Sequence, residues 1–561
     1  MVEDRSTEEF FDATFREVGI AEFFRKNLHM LGYGGTIKSF TTAVHEFLTN
    51  SLDACEEAGI LPDITVKVLS RKGDNHYQLV VKDNGPGIPI KYIDKVFGKM
   101  LAGTKFHRYI QSRGQQGIGA VGAILFGKIS TGRPFRVATC TGDGVIHTLV
   151  MDLDLKRNIA RVHETIKEKV ELEPENARGV RIESFYKDVQ YSRGTTGAFE
   201  YVRRTAIVNP HARITLVEPD GSVIEFPRTS ESIPKKPKEI KPHPLGLSPD
   251  DLVQMAKQPG SYRKLSSVLI NECSRVTNNT ISDLQEAVSV DMSMKPEVLT
   301  HNQAEDIVKA FRRIRLMAPP TDGLIPIGEE QIERSLREIL KPAFIAVSVR
   351  RPTVYKGGVP FQVEVGMAYG GEAGRRVGSN EKLEVLRYAN RAPLLFDAGG
   401  CVINKAVASV DWKRYHLRSI DEAPVSVFVN IISPHIPYTS TGKQAVAEEE
   451  EILIEIRNAL MEAGRKIGRY LSGRRRDEEL KTKRNTFLRY IPEVAAALAE
   501  LTGGDEEAYR AALEAAVDRK LRLMETGEGE DEEEGGGTPE EADTSGDEDE
   551  EESAEVSDDE E

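Results

Sequence analysis

Only four cysteines occur in 561 residues: Cys55, Cys140, Cys273 and Cys401, far apart and with no CxxC pair. That spacing excludes the usual zinc framework and a disulfide scaffold, and it suits a reducing compartment. No run of eighteen apolar residues exists, so no membrane-spanning helix is expected. The first residues, Met1-Val2-Glu3-Asp4-Arg5, are acidic and polar, unlike a secretory leader, and a cytoplasmic location is the expectation. No GxxxxGK[ST] occurs, which removes the P-loop class of nucleotide sites. Lysine and arginine are missing from residues 525–561, where 21 of the 90 acidic residues lie. The formal charge of −15 therefore hides a mildly basic body, +6 over residues 1–524.

What is present reads as several domains. A helical pattern over 40–58 is followed by β-branched runs at 64–69 and 78–82, glycine-rich loops at 83–88 and 114–122, and strands at 135–140, 145–151, 180–185 and 213–217. This mixture predicts an α/β sandwich. The Pro/Lys segment Pro234-Lys235-Lys236-Pro237-Lys238 reads as a linker, and 248–317 as short helices. Ser248-Pro249-Asp250-Asp251 is a helix start, with Ser as cap and Pro at the first helical position. A second mixed unit follows, with a helix at 329–340, strands at 343–349, 361–367 and 425–432, and an amphipathic helix at 448–470. Residues 475–522 are basic and then helical. The acidic tail cannot bury enough apolar area to order itself.

Three early segments carry chemistry. On a helix, Glu46, Asn50 and Asp53 are spaced by four and three and share a face, while Val44, Leu48, Leu52 and Cys55 fall opposite. A carboxylate that takes a proton and a carboxamide that offers an oxygen to Mg2+ suit hydrolysis at a cation, although a solvated polar face gives the same spacing. Asp83-Asn84-Gly85-Pro86-Gly87-Ile88 follows a strand, so Asp83 can accept from an exocyclic amine and Gly87 lets a ring approach; a tight Asx turn has the same composition. Gly114-Gln115-Gln116-Gly117-Ile118-Gly119-Ala120-Val121-Gly122 runs into an apolar stretch, and glycines before a helix expose N–H groups to phosphates.

In this order and at these separations the segments resemble the ATP-binding motifs of the GHKL superfamily, and more closely the family of B subunits of DNA topoisomerase VI, the archaeal type IIB enzyme. Ser112-Arg113-Gly114-Gln115-Gln116-Gly117-Ile118-Gly119 is similar to its phosphate loop, and Val96 to Leu101 with Thr104-Lys105 to its lid. The resemblance implies an α+β multidomain fold. Its parts are an N-terminal arm (1–15), a GHKL (Bergerat) α/β sandwich ATPase domain (16–230) and a helical helix-two-turns-helix insert (231–317). A transducer domain with a left-handed βαβ crossover (318–475), a basic helical segment meeting the A subunit (476–524) and a disordered acidic tail (525–561) follow.

The resemblance further implies ATP and Mg2+ as cofactors. Glu46 becomes the general base, Asn50 the Mg2+ ligand and Asp83 the adenine anchor, with Gly87 beside the ring. Thr104, Lys105 and the run Gly114, Gln115, Gln116, Gly117, Ile118, Gly119, Ala120, Val121 hold ribose and phosphates. Where GHKL proteins carry a Gly-Thr pair, this chain has Gly179-Val180, without the hydroxyl. In the second mixed unit, Gly442-Lys443-Gln444 resembles the transducer loop whose lysine contacts the γ-phosphate, which implies that Lys443 senses ATP.

Lys235, Lys236 and Lys238 suit DNA phosphates or a solubilising linker. Trp412, the only tryptophan, stands beside Lys413 and Arg414. That grouping suits either nucleic acid or a core anchor with cations around it, and the family's Trp-Lys-x-Tyr motif favours DNA. The implied assembly is two A and two B subunits on double-stranded DNA, with ATP-dependent homodimerisation and no membrane. ATP-driven closure passes one duplex through another to relax supercoils and decatenate, while the A subunit cleaves. A chaperone-type or mismatch-repair GHKL ATPase is the alternative.

Overall fold

Alternating and β-branched runs in the first part of the chain pair into one sheet. The computed structural model describes residues 23, 26–71, 75–100, 109–114, 117–154, 159–170, 178–257, 262–374, 382–440 and 442–526. The expected arm (1–15), Thr104, Lys105, Gln115, Gln116 and the tail beyond Thr526 lie outside the described residues. The chain divides into two compact units, one through Tyr470 and one from Leu471.

The first sheet comprises β1 (Asp63–Ser70), β2 (His76–Lys82), β3 (Phe135–Thr141), β4 (Val145–Asp154), β5 (Ile159–Lys169), β6 (Arg178–Lys187), β7 (Arg213–Val217) and β8 (Val223–Phe226). Their order is β5-β4-β3-β6-β2-β1-β7-β8, and only β1 with β7 is parallel. Helices α1 (Thr36–Ala58), α2 (Ile90–Gly98), α3 (Gly119–Thr131) and α4 (Ala198–Val208) accompany it. The predicted inner face of α1 is buried: Val44, Leu48, Leu52 and Cys55 are at most 1% exposed. Each such side chain contributes about 1.5–3 kcal/mol from area removed from water, and their common face fixes where Glu46 and Asn50 point. Gly59, at φ +72°, ends α1 by donating its N–H to the Cys55 and Glu56 carbonyls. Sequence pattern missed α2, α4 and β5. Strand β5 is an edge strand exposed along nearly its whole length, so no apolar alternation marks it.

The insert contains α5 (Pro249–Lys257), α6 (Leu265–Glu272), α7 (Asn278–Ala287) and α8 (His301–Phe311), packed through Leu252, Leu269, Leu284, Ile307 and Phe311. The start of α5 is capped as the composition predicts, whereas α6 begins after Lys264 with no side-chain cap. The Ser248 hydroxyl accepts from the Asp251 N–H, and Thr277 and Thr300 form capping boxes with Thr280 and Gln303.

A six-stranded sheet follows, built from β9 (Phe344–Val349), β10 (Thr353–Tyr355), β11 (Val359–Tyr369), β12 (Glu384–Ala389), β13 (Ala392–Pro393) and β14 (Val425–Ile432). Strands β12 and β14 are its parallel pair, with α10 (Val402–Ser409) in the crossover between them. Strands β11 and β14 are buried almost throughout, because both faces of the sheet are covered. Helix α9 (Glu329–Leu340) packs Ile332 and Leu336 with Ile207 and Val208 of α4, joining the two sheets through one core. The long helix α11 (Glu450–Thr502) buries Ile452, Ile456, Leu460, Ala463 and Ile467 completely. It runs well past the expected end at 470, since 471–489 is mostly polar and largely exposed and carries no continuous amphipathic signal. In the second unit α11 turns at Gly503 into α12 (Glu506–Thr526), and Arg484 pairs with Asp518 at 2.9 Å.

Candidate functional site

The polar face of α1, the end of β2 and the start of α3 enclose a cavity of about 720 Å³. Its lining brings together Glu46, Asn50, Asp83, Gly87, Gly114, Gly117 to Val121 and Lys443 from the candidate residues. Asp83 is held rigidly. One carboxylate oxygen accepts from the Gly85 and Val180 N–H groups, each at 3.0 Å, and the other from the Ser51 hydroxyl at 2.9 Å. Burial raises its carboxyl above the usual range, and those three donors offset part of the rise. Val180 thus contributes through its backbone at the place where the GHKL pattern carries Thr. Gly87 (φ +74°) has no room for a side chain, since a Cβ there would lie 2.1 Å from the Cys140 carbonyl oxygen. Gly179 (φ +126°) is equally constrained by the Asp83 carbonyl oxygen at 2.0 Å.

Glu46 faces the opposite wall. A methyl group built on Gly119, the first residue of α3, would come within 1.7 Å of Glu46 Oε2. The glycine therefore brings the carboxylate directly against the helix start, whose first N–H groups have no partner within the helix. Asn50 is one turn further along α1 and is exposed on the cavity wall. No group of three or more His, Cys, Asp or Glu able to hold a metal occurs among the described residues. A divalent cation fits this wall as the companion of a polyphosphate, with an amide oxygen as its protein ligand.

Lys443 enters from the second sheet's side. Tyr438 and Val446 form an antiparallel bridge, Thr439 donates to Ala445 O, and the Lys443 N–H donates to Ser440 O. Lys443 itself lies in the left-handed region (φ +50°), uncommon for a side-chain-bearing residue. The tight loop aims its ammonium at the segment Ser112-Arg113-Gly114, where Nζ donates to the Arg113 carbonyl oxygen at 3.3 Å.

Sequence reading missed the buried network behind that loop. Arg113 pairs with Asp53 at 2.7 Å and Glu56 at 2.6 Å, and donates to Asn209 Oδ1 at 2.5 Å. His211 Nε2 lies 2.8 Å from Glu56. Burial would raise the Glu56 carboxyl, but Arg113 and His211 outweigh it and hold the group far below the usual range. Asp53, on the shared face of α1, lines the cavity and gives its Oδ1 to Arg113. Three more bonds fasten the same segment to the second sheet's domain: Gln111 exchanges two with the Ile325 backbone, and Asn390 donates to Ser112 O. Signals existed only in the residue types, because each partner lies 57 or more positions away.

Among the DNA candidates, Lys235, Lys236 and Lys238 are exposed, and Lys238 faces Asp322 at 3.6 Å. Trp412 is buried and donates from Nε1 to Val407 O at 2.8 Å, so its ring is a core anchor. This corrects the picture of an indole available to bases, while Lys413 and Arg414 beside it are exposed. The turn is seated because Gly464 and Gly468 of α11 leave room for Tyr415. No described helix is long and apolar enough to cross a membrane.

Residues 35–188 match the family of histidine kinase-, DNA gyrase B- and HSP90-like ATPases, and residues 319–483 match the topoisomerase VI B subunit transducer family. The chain is 47% identical to the B subunit of type 2 DNA topoisomerase 6 from Pyrococcus horikoshii, over 92% of this chain and 98% of that one. It is equally 47% identical to that of Methanothermobacter thermautotrophicus, over 93% and 99%, and 45% identical to that of Thermococcus kodakarensis, over 92% and 97%. The cavity with its anchored carboxylate, its glycine-lined helix start and its reaching lysine thus sits in a chain that belongs to the family of type 2 DNA topoisomerase 6 B subunits.

Proposed function

We propose that this cavity binds Mg2+-ATP and that its hydrolysis drives strand passage by a type IIB DNA topoisomerase of which this chain is the ATP-hydrolysing component. Asp83 accepts the adenine amine, and Gly87 lets the ring lie against the backbone. The N–H groups from Gly114 to Val121, with Gln115, Gln116, Thr104 and Lys105 as further contacts, cradle ribose and phosphates. Asn50 would hold the Mg2+, whose charge helps neutralise the phosphates. Glu46 accepts the proton of the water that attacks the γ-phosphorus.

Lys443 exchanges the Arg113 carbonyl for the γ-phosphate, so that the second sheet's domain follows the presence of that phosphate. Binding brings two copies together, and two A and two B subunits make the working enzyme, in which the A subunit cleaves DNA. Lys235, Lys236, Lys238, Lys413 and Arg414 supply phosphate contacts to double-stranded DNA. The observation that carries the reading is that Glu46 and Lys443, from two different domains, face one glycine-walled cavity. The test is Glu46→Gln. Turnover should collapse while a non-hydrolysable ATP analogue still binds; undiminished turnover would refute the assignment.

A further inference from the structure

The turn Gly32-Tyr33-Gly34-Gly35, which leads into α1, places Tyr33 among the residues that line the nucleotide cavity. Tyr33 is 6% exposed, and its ring stacks on Phe126 at 4.8 Å between centroids. Its hydroxyl is buried and has no hydrogen-bond partner among the described residues. A buried phenol in that condition costs stability unless something else engages it. Tyr201, a second buried phenol close enough to feel the Glu46 charge, is engaged, since its hydroxyl lies 3.2 Å from Thr49 Oγ1.

Two observations aim Tyr33 at the reacting end of the cavity. Gly119 and Gly122 are one turn apart on α3. A Cβ on Gly119 would strike Glu46 Oε2, and a Cβ on Gly122 would lie 4.0 Å from the Tyr33 hydroxyl oxygen. The same helix face therefore separates the carboxylate from the phenol by about one turn. Burial first, and then the negative charge of Glu46, raise the phenol well above its ordinary value. Tyr33 thus keeps its proton and remains a donor.

Resting on the reading of Glu46 as general base, we infer that Tyr33 is a positioning residue for the attacking water. Its O–H donates to one lone pair of that water, one water O–H lies on Glu46, and the second lone pair is left for the γ-phosphorus. No proton leaves Tyr33 in the step: the water's proton goes to Glu46, the bond from the γ-phosphorus to the β–γ bridging oxygen breaks, and ADP leaves. The role differs from binding ATP, because the phenol meets the water and not the phosphates.

Tyr33→Phe removes one oxygen and keeps the ring on Phe126. In single-turnover hydrolysis with Mg2+-ATP, the variant should lose roughly 10-fold or more in rate. Its affinity for a non-hydrolysable ATP analogue should stay within about twofold, and its melting temperature should not fall. In a Glu46→Gln background the same substitution should have no further effect, because the water is no longer activated. An unchanged rate, a loss of affinity as large as the loss of rate, or independent multiplication of the two losses would each overturn the inference. Failure of the underlying reading is seen separately, as a Glu46→Gln variant that still turns over.

Discussion

Gly119→Ala isolates the geometry of the Glu46 carboxylate, the proposed general base, from the stability of the fold. The added methyl would lie 1.7 Å from Glu46 Oε2, whereas ordinary contact begins near 3.4 Å. The carboxylate must therefore retreat by about 1.7 Å, and the end of a flexible side chain can do so without moving backbone. A displacement of ~1 Å at a reacting group costs on the order of 100-fold in rate, or about 2.7 kcal/mol. Stability should not suffer, because alanine is favoured over glycine in a helix by up to ~1 kcal/mol. The assay pairs single-turnover ATP hydrolysis with analogue binding and thermal melting. The account expects a rate loss of about 100-fold, an affinity change of severalfold at most, and a melting temperature equal to or above that of the parent. A variant that hydrolyses within twofold of the parent would refute the placement of Glu46 against the helix start. So would a melting temperature several degrees lower, which would mean that backbone had absorbed the clash.

Asp83→Asn should fold, since the amide oxygen can keep the Gly85 and Val180 donors while its NH2 turns to a rotated Ser51 hydroxyl. It should nevertheless lose ATP affinity by roughly 10- to 100-fold, because the acceptor for the adenine amine becomes a donor. Isothermal titration with the analogue checks this, and unchanged affinity would remove Asp83 from the adenine site. Glu56 predicts a pH dependence of folding. Its carboxyl is depressed by Arg113 and His211, so its contribution is fully present above the unfolded value near ~4.3 and is lost as pH falls below it. Glu56→Gln should cost about 3 kcal/mol at neutral pH and flatten the acid slope of stability in denaturant titrations; a parallel slope would contradict the pairing.

The inner face of α1 was legible because four apolar residues repeat at helical spacing, and the start of α5 because Ser248 precedes a proline and meets Asp251 three positions on. Asp83 and the glycine run were visible as motifs, since backbone approach demands glycine whatever the tertiary context. Strand β5 and the polar stretch of α11 were not, because neither buries a face that would leave a periodic signature. Asp53 was read with the polar face of α1, yet its partner Arg113 lies 60 positions away, and no local spacing announces such a pair. Trp412 shows the same limit: a Trp among cations fits an exposed platform or a core anchor equally, and only its bond to Val407 decides.

The central claim is that one Mg2+-nucleotide is enclosed between α1 and α3 and reached by Lys443 from the other domain. A structure determined with Mg2+ and a non-hydrolysable ATP analogue tests it most directly. The account predicts a filled cavity, Glu46 facing the γ-phosphate, and the Lys443 ammonium moved off the Arg113 carbonyl onto that phosphate. A filled cavity with Lys443 still bonded to Arg113, or a nucleotide bound elsewhere, would contradict it.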